Sequence, residues 1–324
     1  MGRVADAMTK AFAKGDGLDV STPTEDPWQL AETPAPAQVA VVPLRPKDGR
    51  RPTTEAPSEA PSPRPQPAGR IVFQEVPAPI RPGASPRDPR YDGKLLGDNS
   101  ELPLDVQEQY GSLAATVHQS ARQAGTGVLL VASARPGEGR TLVSSNLAEA
   151  LSRWLGLRVL LVDGNLGHAS IHSVYGLADA PGLAESLESD LATPVPVVQL
   201  SPQLSVIVAG RPSRDPVTVV TRPAMRQLLE QAGAKYDWVI IDGPPLGSVA
   251  DAVRVGAMVD KVMLVIKAGE TPYPAVLEVL RGIDPERVLG VALNHAGPGV
   301  ATSFANGMPY EPTLEAGLGM NRSR

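Results

Sequence analysis

The chain has 324 residues and a formal net charge of −5, and it contains no cysteine. That length holds one large domain with a substantial tail, or two domains. The charge argues against a generic nucleic-acid binder, which carries a basic excess. The cysteine count excludes disulfides, thiolate zinc sites and cysteine nucleophiles.

Aromatic residues make up 4% of the chain, so a core must rest on Val, Leu, Ile and Ala. No apolar run reaches the ~18 residues of a transmembrane helix, and the first residues lack the apolar stretch of a signal peptide. These features lead to the expectation of a cytoplasmic protein without membrane insertion of its own.

Residues 1–14 place Val4, Met8 and Phe12 on one helical face, a short docking helix or simply a frayed start. Residues 15–100 are rich in Pro, Ala, Glu, Arg and Ser; more than half of the 34 prolines lie before residue 104. Such a composition buries too little apolar surface to offset ordering entropy and predicts a disordered Pro-rich linker. Within it, Ile71, Val72 and Phe73 form an apolar interruption suited to a short docking strand.

After residue 100 the pattern changes. A helix is predicted over 106–122, followed by strands at 127–133, 158–163, 204–209, 238–242, 261–267 and 287–293. Helical stretches separate most of them, one at 141–155. Short β-branched runs alternating with helices predict a doubly wound α/β domain with a mostly parallel sheet buried on both faces. The domain spans 101–296, and residues 297–324 read as a disordered tail.

The strongest chemical signal is SARPGEGRTLVSSNLA at 133–148, a glycine-rich loop that follows a strand and opens a helix. That placement aims backbone N–H groups and the helix dipole at phosphates. Thr141 fits the magnesium-holding position of a P-loop, and Arg140 stands where the pattern has lysine. Asp163 ends the strand RVLLVD and Asp242 ends WVIID. Carboxylates at the tips of parallel strands converge on the ligand crevice of an open α/β sheet, where they and Thr141 can hold magnesium. A single strand-end Asp is otherwise a common turn residue.

The motifs PGEGRT, LLVDGNL, YDWVIIDGPP and VLGVALN, in that order, resemble those of the bacterial tyrosine kinases tied to capsule and exopolysaccharide export. The stretches 170–187 and 206–216 are similar too, as is Asp251, and the resemblance covers about residues 100–296. It implies a P-loop NTPase fold, with ATP or ADP and Mg2+ as cofactors. It implies that Pro136, Gly137, Glu138, Gly139, Arg140, Thr141 and Leu142 wrap the phosphates. Thr141, Asp163 and Asp242 would manage the metal. Asp163 and Arg140 would be the catalytic pair, Asp163 as base for an attacking tyrosine hydroxyl. Asn294 would sit near the adenine, or serve only as a strand-end turn residue. The implied partner is a membrane-embedded polysaccharide co-polymerase or activator, with recruitment to the inner face of the cell membrane.

Four departures from the family pattern point to a pseudokinase or slow ATPase. Arg140 replaces lysine, and a planar guanidinium is no substitute for a compact ammonium. Asn165 replaces the second Asp of the family's DAD motif, and Gly167 and His168 replace the arginines after it. Glu108 remains from a Glu-x-x-Arg-x-x-Arg pattern that builds rings, but Gly111 and Ala114 stand for its arginines, which puts oligomerisation in doubt. The tail holds only Tyr310 where the family has a tyrosine cluster. The expected function is a nucleotide-binding, kinase-like protein of exopolysaccharide biosynthesis with weak or no phosphotransfer. The alternatives are an active Mg–ATP-dependent tyrosine autokinase and, further off, a partitioning-type ATPase.

Overall fold

The computed structural model describes residues 40–43, 70–77, 88–97, 102–124, 127–178, 181–247 and 249–296. The expected 1–14 helix, most of the linker, and the tail with Tyr310 lie outside them.

In chain order the elements are strands β1 (Ala40–Pro43) and β2 (Phe73–Pro77), helix α1 (Leu104–Ala124), β3 (Val128–Ser133), α2 (Arg140–Arg153) and β4 (Val159–Asp163). Then come α3 (Ile171–Tyr175), α4 (Leu183–Glu188), β5 (Val195–Gln199), β6 (Leu204–Ile207), α5 (Pro216–Val220) and α6 (Pro223–Lys235). The last are β7 (Trp238–Pro245), α7 (Val249–Gly256), β8 (Lys261–Lys267), α8 (Tyr273–Arg281) and β9 (Val288–Asn294).

The strands form one sheet in the order β1-β9-β8-β3-β7-β4-β6-β5-β2. The six from β9 to β6 run parallel. β1 pairs antiparallel with β9, β5 antiparallel with β6, and β2 parallel with β5. This is the doubly wound, mostly parallel α/β fold expected from the sequence.

The alternation of side chains along a strand divides the core in two. Leu129 and Val131 of β3 join Tyr110, Leu113 and Val117 of α1 and Leu147 and Leu151 of α2 on one face. Leu130 and Ala132 join Leu187, Leu228, Val255 and Val276 on the other. Each fully buried Leu or Val contributes about 1.5–3 kcal/mol, so coverage of both faces selects the layered arrangement.

The folded unit extends upstream of residue 101. Ile71 is buried, β2 adds a strand to one sheet edge and β1 to the other, and Leu95 and Leu96 of the segment 88–97 are buried. These segments lie within the stretch that composition assigns to a linker, because pairing to an existing sheet edge requires little apolar surface of its own. β5 escapes sequence reading because Pro196 interrupts VPVVQ; it lies one strand from the edge and shares only two register pairs with β6.

Candidate nucleotide site

Residues 134–139 connect the end of β3 to α2. Gly137 and Gly139 adopt φ of 80° and 87°. At Gly139 a side chain is excluded twice, by the left-handed backbone and by the Asn294 amide, which occupies the space of a Cβ.

The loop is braced from neighbouring strands. The Glu138 carboxylate accepts from Arg135 N–H at 2.8 Å and from the Thr271 hydroxyl. That hydroxyl accepts in turn from Lys267 N–H, at the end of β8, at 2.9 Å. Asn294 Nδ2 donates to the Glu138 carbonyl at 2.9 Å, and its Oδ1 accepts from His295 N–H at 3.0 Å. Asn294 is fully buried, lines the cleft, and donates one of its amide N–H groups to the loop. Nothing in the spacing points to Thr271; only the fold brings it to Glu138.

The three metal candidates converge. Thr141 Oγ1 donates to Asp242 Oδ2 at 2.7 Å. Asp163 and Asp242 are register partners on β4 and β7, and both are inaccessible to solvent. Asp163 accepts backbone N–H bonds from Asn165 at 3.2 Å and from Ser170 and Ile171 at 3.0 Å. Burial raises both carboxyls above the ordinary aspartate range. The negative charge of Asp242 raises Asp163 further, while Arg140 pulls Asp242 back down. Asp242 Oδ1 is buried without a hydrogen-bond partner. Two carboxylates, one of them with an orphaned oxygen, and a hydroxyl fit magnesium, which takes few protein ligands and completes its shell with phosphate and water oxygens.

Arg140 is also buried. Its Nη1 donates to Ser133 Oγ at 2.6 Å, and its Nε has no partner. Desolvation lowers its pKa, and Asp242, Glu138 and Asp163 oppose that shift. A guanidinium keeps its proton at such a site. The charge at the lysine position is therefore retained, bonded to the end of β3 and set among three carboxylates.

Asn165 serves its turn: its side-chain amide donates to the His168 carbonyl at 2.8 Å. On α1, Glu108 is exposed, Gly111 half-buried beside the Trp154 ring, and Ala114 buried. The three positions of the ring-building pattern thus differ in exposure as well as in residue type.

The cleft measures about 750 Å3, within the range of small-molecule sites. Its lining includes residues 136–142, Asn165, His168, Ser170, Asn294 and His295. Tyr91–Lys94, Val106 and Tyr110 also line it.

A glycine-rich strand–loop–helix with a Thr–Asp pair and a second carboxylate on the adjoining strand defines a P-loop protein of the doubly wound α/β class. Comparison with known proteins narrows this. The chain is 31% identical over 166 residues to the tyrosine-protein kinase YwqD of Bacillus subtilis, covering 51% of this chain and 69% of the relative. It is 32% identical over 163 residues to the tyrosine-protein kinase etk of Escherichia coli, covering 50% of this chain and 22% of the relative. It is 30% identical over 173 residues to the succinoglycan biosynthesis transport protein ExoP of Rhizobium meliloti, covering 52% and 22%. The chain spans only 27% and 28% of the length of relatives from Klebsiella pneumoniae and Erwinia amylovora.

Among solved structures, the BceF tyrosine kinase domain aligns with a TM-score of 0.53 at 26% identity, over 64% of this chain and 88% of that one. The kinase domain of E. coli ETK shares the fold, with a TM-score of 0.54 at 24% identity, over 68% and 89%. No protein-family model matches the chain. The chain belongs to the bacterial tyrosine-kinase family.

Proposed function

We propose that this protein binds ATP or ADP with Mg2+ and acts as a kinase-like component of exopolysaccharide or capsule biosynthesis and export, with weak phosphotransfer. The observation that carries the nucleotide reading is the Thr141–Asp242 contact at the root of the phosphate loop, beside an orphaned carboxylate oxygen. The loop would take the phosphates on its N–H groups, and Thr141, Asp163 and Asp242 would hold the metal, which supplies charge stabilisation at the phosphoryl group when bound.

Weak transfer follows from Arg140. Its guanidinium is held by Ser133 and neighboured by three carboxylates, so it offers less field to charge developing on phosphate than a mobile lysine does. The partner in this reading is a membrane-embedded polysaccharide co-polymerase, with the protein on the inner face of the membrane. The relatives named for kinases and for succinoglycan transport support that setting.

Calorimetric titration of the full chain with ADP and magnesium, repeated with Asp242→Ala, tests the site. Binding that weakens in the variant is expected; no binding by the folded wild type would refute the reading. A phosphate-release rate matching that of an Arg140→Lys variant would favour the alternative, a fully active autokinase, for which the retained positive charge at Arg140 speaks.

A further inference from the structure

The sequence YDGKLL at 91–96 is a turn followed by a buried pair. Asp92 adopts φ −59° and ψ 131°, Gly93 adopts φ 66°, and Lys94 N–H donates to the Tyr91 carbonyl at 3.1 Å. That is a type II turn, whose third position calls for glycine. Leu95 and Leu96 then enter the core.

The helix that opens at the phosphate loop holds this turn. Asn146 of α2 donates from Nδ2 to the Lys94 carbonyl at 2.9 Å, and its Oδ1 accepts from Leu96 N–H at 2.8 Å. Asn146 is buried and stands one helical turn beyond Leu142, on the same face of α2. Lys94 is therefore fixed at its backbone, while the residue itself is exposed and lines the cleft together with residues 136–142. The neighbouring cation, Arg90, is committed to Asp88, with Nε at 2.8 Å from Oδ2. Among the described residues no carboxylate forms an ion pair with Lys94.

We propose that Lys94 is a phosphate-binding residue of the nucleotide site, its ammonium bonding the phosphate chain of ADP or ATP. The proposal rests on the nucleotide reading above. Arg140 occupies the lysine position of the loop, but its guanidinium is buried and bonded to Ser133 Oγ at 2.6 Å. A compact ammonium on a flexible four-carbon stem meets a phosphate as a point charge, and the loop has no such group. Lys94 supplies one from outside the loop, on a turn whose position α2 sets. The anchors act on main-chain atoms at 94 and 96, so a substitution at 94 leaves the turn in place and removes only the charge.

The test titrates the full chain with Mg–ADP by calorimetry at low and high salt, alongside Lys94→Gln and Lys94→Arg. Lys94→Gln is expected to weaken ADP about tenfold, the scale of one charge-assisted hydrogen bond, with the thermal midpoint of the nucleotide-free chain unchanged. The deficit should shrink at high salt, which screens an exposed charge, and Lys94→Arg should retain most of the affinity. Undiminished affinity in Lys94→Gln overturns the proposal. So does an equal loss in Lys94→Arg, or a deficit that salt leaves untouched, since either would make residue 94 a packing position. Failure of the folded wild type to bind ADP removes the nucleotide reading, and this inference with it.

Discussion

The Thr141 hydroxyl donates a 2.7 Å hydrogen bond to Asp242 Oδ2 across 101 residues of sequence, while the other oxygen of that carboxylate has no partner. This contact joins the start of α2 to the end of β7 and leaves one carboxylate oxygen buried and unpaired at the root of the loop. Thr141→Ala and Asp242→Asn are each expected to lower Mg–ADP affinity at least tenfold, about 1.4 kcal/mol. Asp242→Asn should also abolish the magnesium dependence, measured by titrating ADP with and without the metal. An undiminished affinity in both variants would place the cation elsewhere.

Arg140→Lys should restore a compact, mobile ammonium beneath the phosphates. ATP turnover by the full chain is expected to rise at least tenfold, ~1.4 kcal/mol of barrier, with a smaller change in ADP affinity. Equal rates would mean that the guanidinium is not what limits transfer.

Asn294→Ala removes the amide that holds the Glu138 carbonyl. Loss of that buried bond should cost about 1–3 kcal/mol of stability, read from denaturant midpoints. A brace for the loop predicts that ADP, GDP and pyrophosphate all weaken together. Weakening confined to ADP would assign Asn294 to the adenine instead.

The carboxyls of Asp163 and Asp242 titrate above the ordinary aspartate range, chiefly through burial and, for Asp163, through its charged neighbour. A raised pKa means that the folded chain holds protons more tightly than the unfolded one. Stability from this pair is therefore present below the normal aspartate pKa and is lost as pH rises through the folded values. Thermal melts of the nucleotide-free chain should show a declining melting temperature from about pH 5 to about pH 8. Mg–ADP should restore more at the upper end, and Asp163→Asn should flatten the slope.

A chain beginning at residue 101 forfeits β1 and β2, the buried side chains of Ile71, Leu95 and Leu96, and both hydrogen bonds to Asn146. Each of those apolar groups contributes about 1.5–3 kcal/mol when fully buried. Its melting temperature should fall well below that of the full chain, by differential scanning calorimetry. Equal stability would show that residues 88–97 and the edge strands are incidental.

The local chemistry of this protein was legible in its sequence. The runs VLLV at 159–162 and VMLVI at 262–266 are short, rich in β-branched residues and apolar throughout, and strands covered on both faces suit them. Gly137 and Gly139 between a strand and a helix mark a phosphate loop, because backbone spacing alone dictates that geometry. Asp163 and Asp242 were identifiable as strand-end carboxylates for the same reason. What the sequence could not disclose depends on partners far along the chain. That Thr271 grips Glu138, that Asn294 braces the loop, and that Arg140 turns to Ser133 emerge only when β3, β8 and β9 are set side by side. The segment that brings Tyr91 to the lining of the cleft is the clearest case. Residues 88–97 have no periodicity of their own, and their order comes from Asn146 and from a core that other segments build.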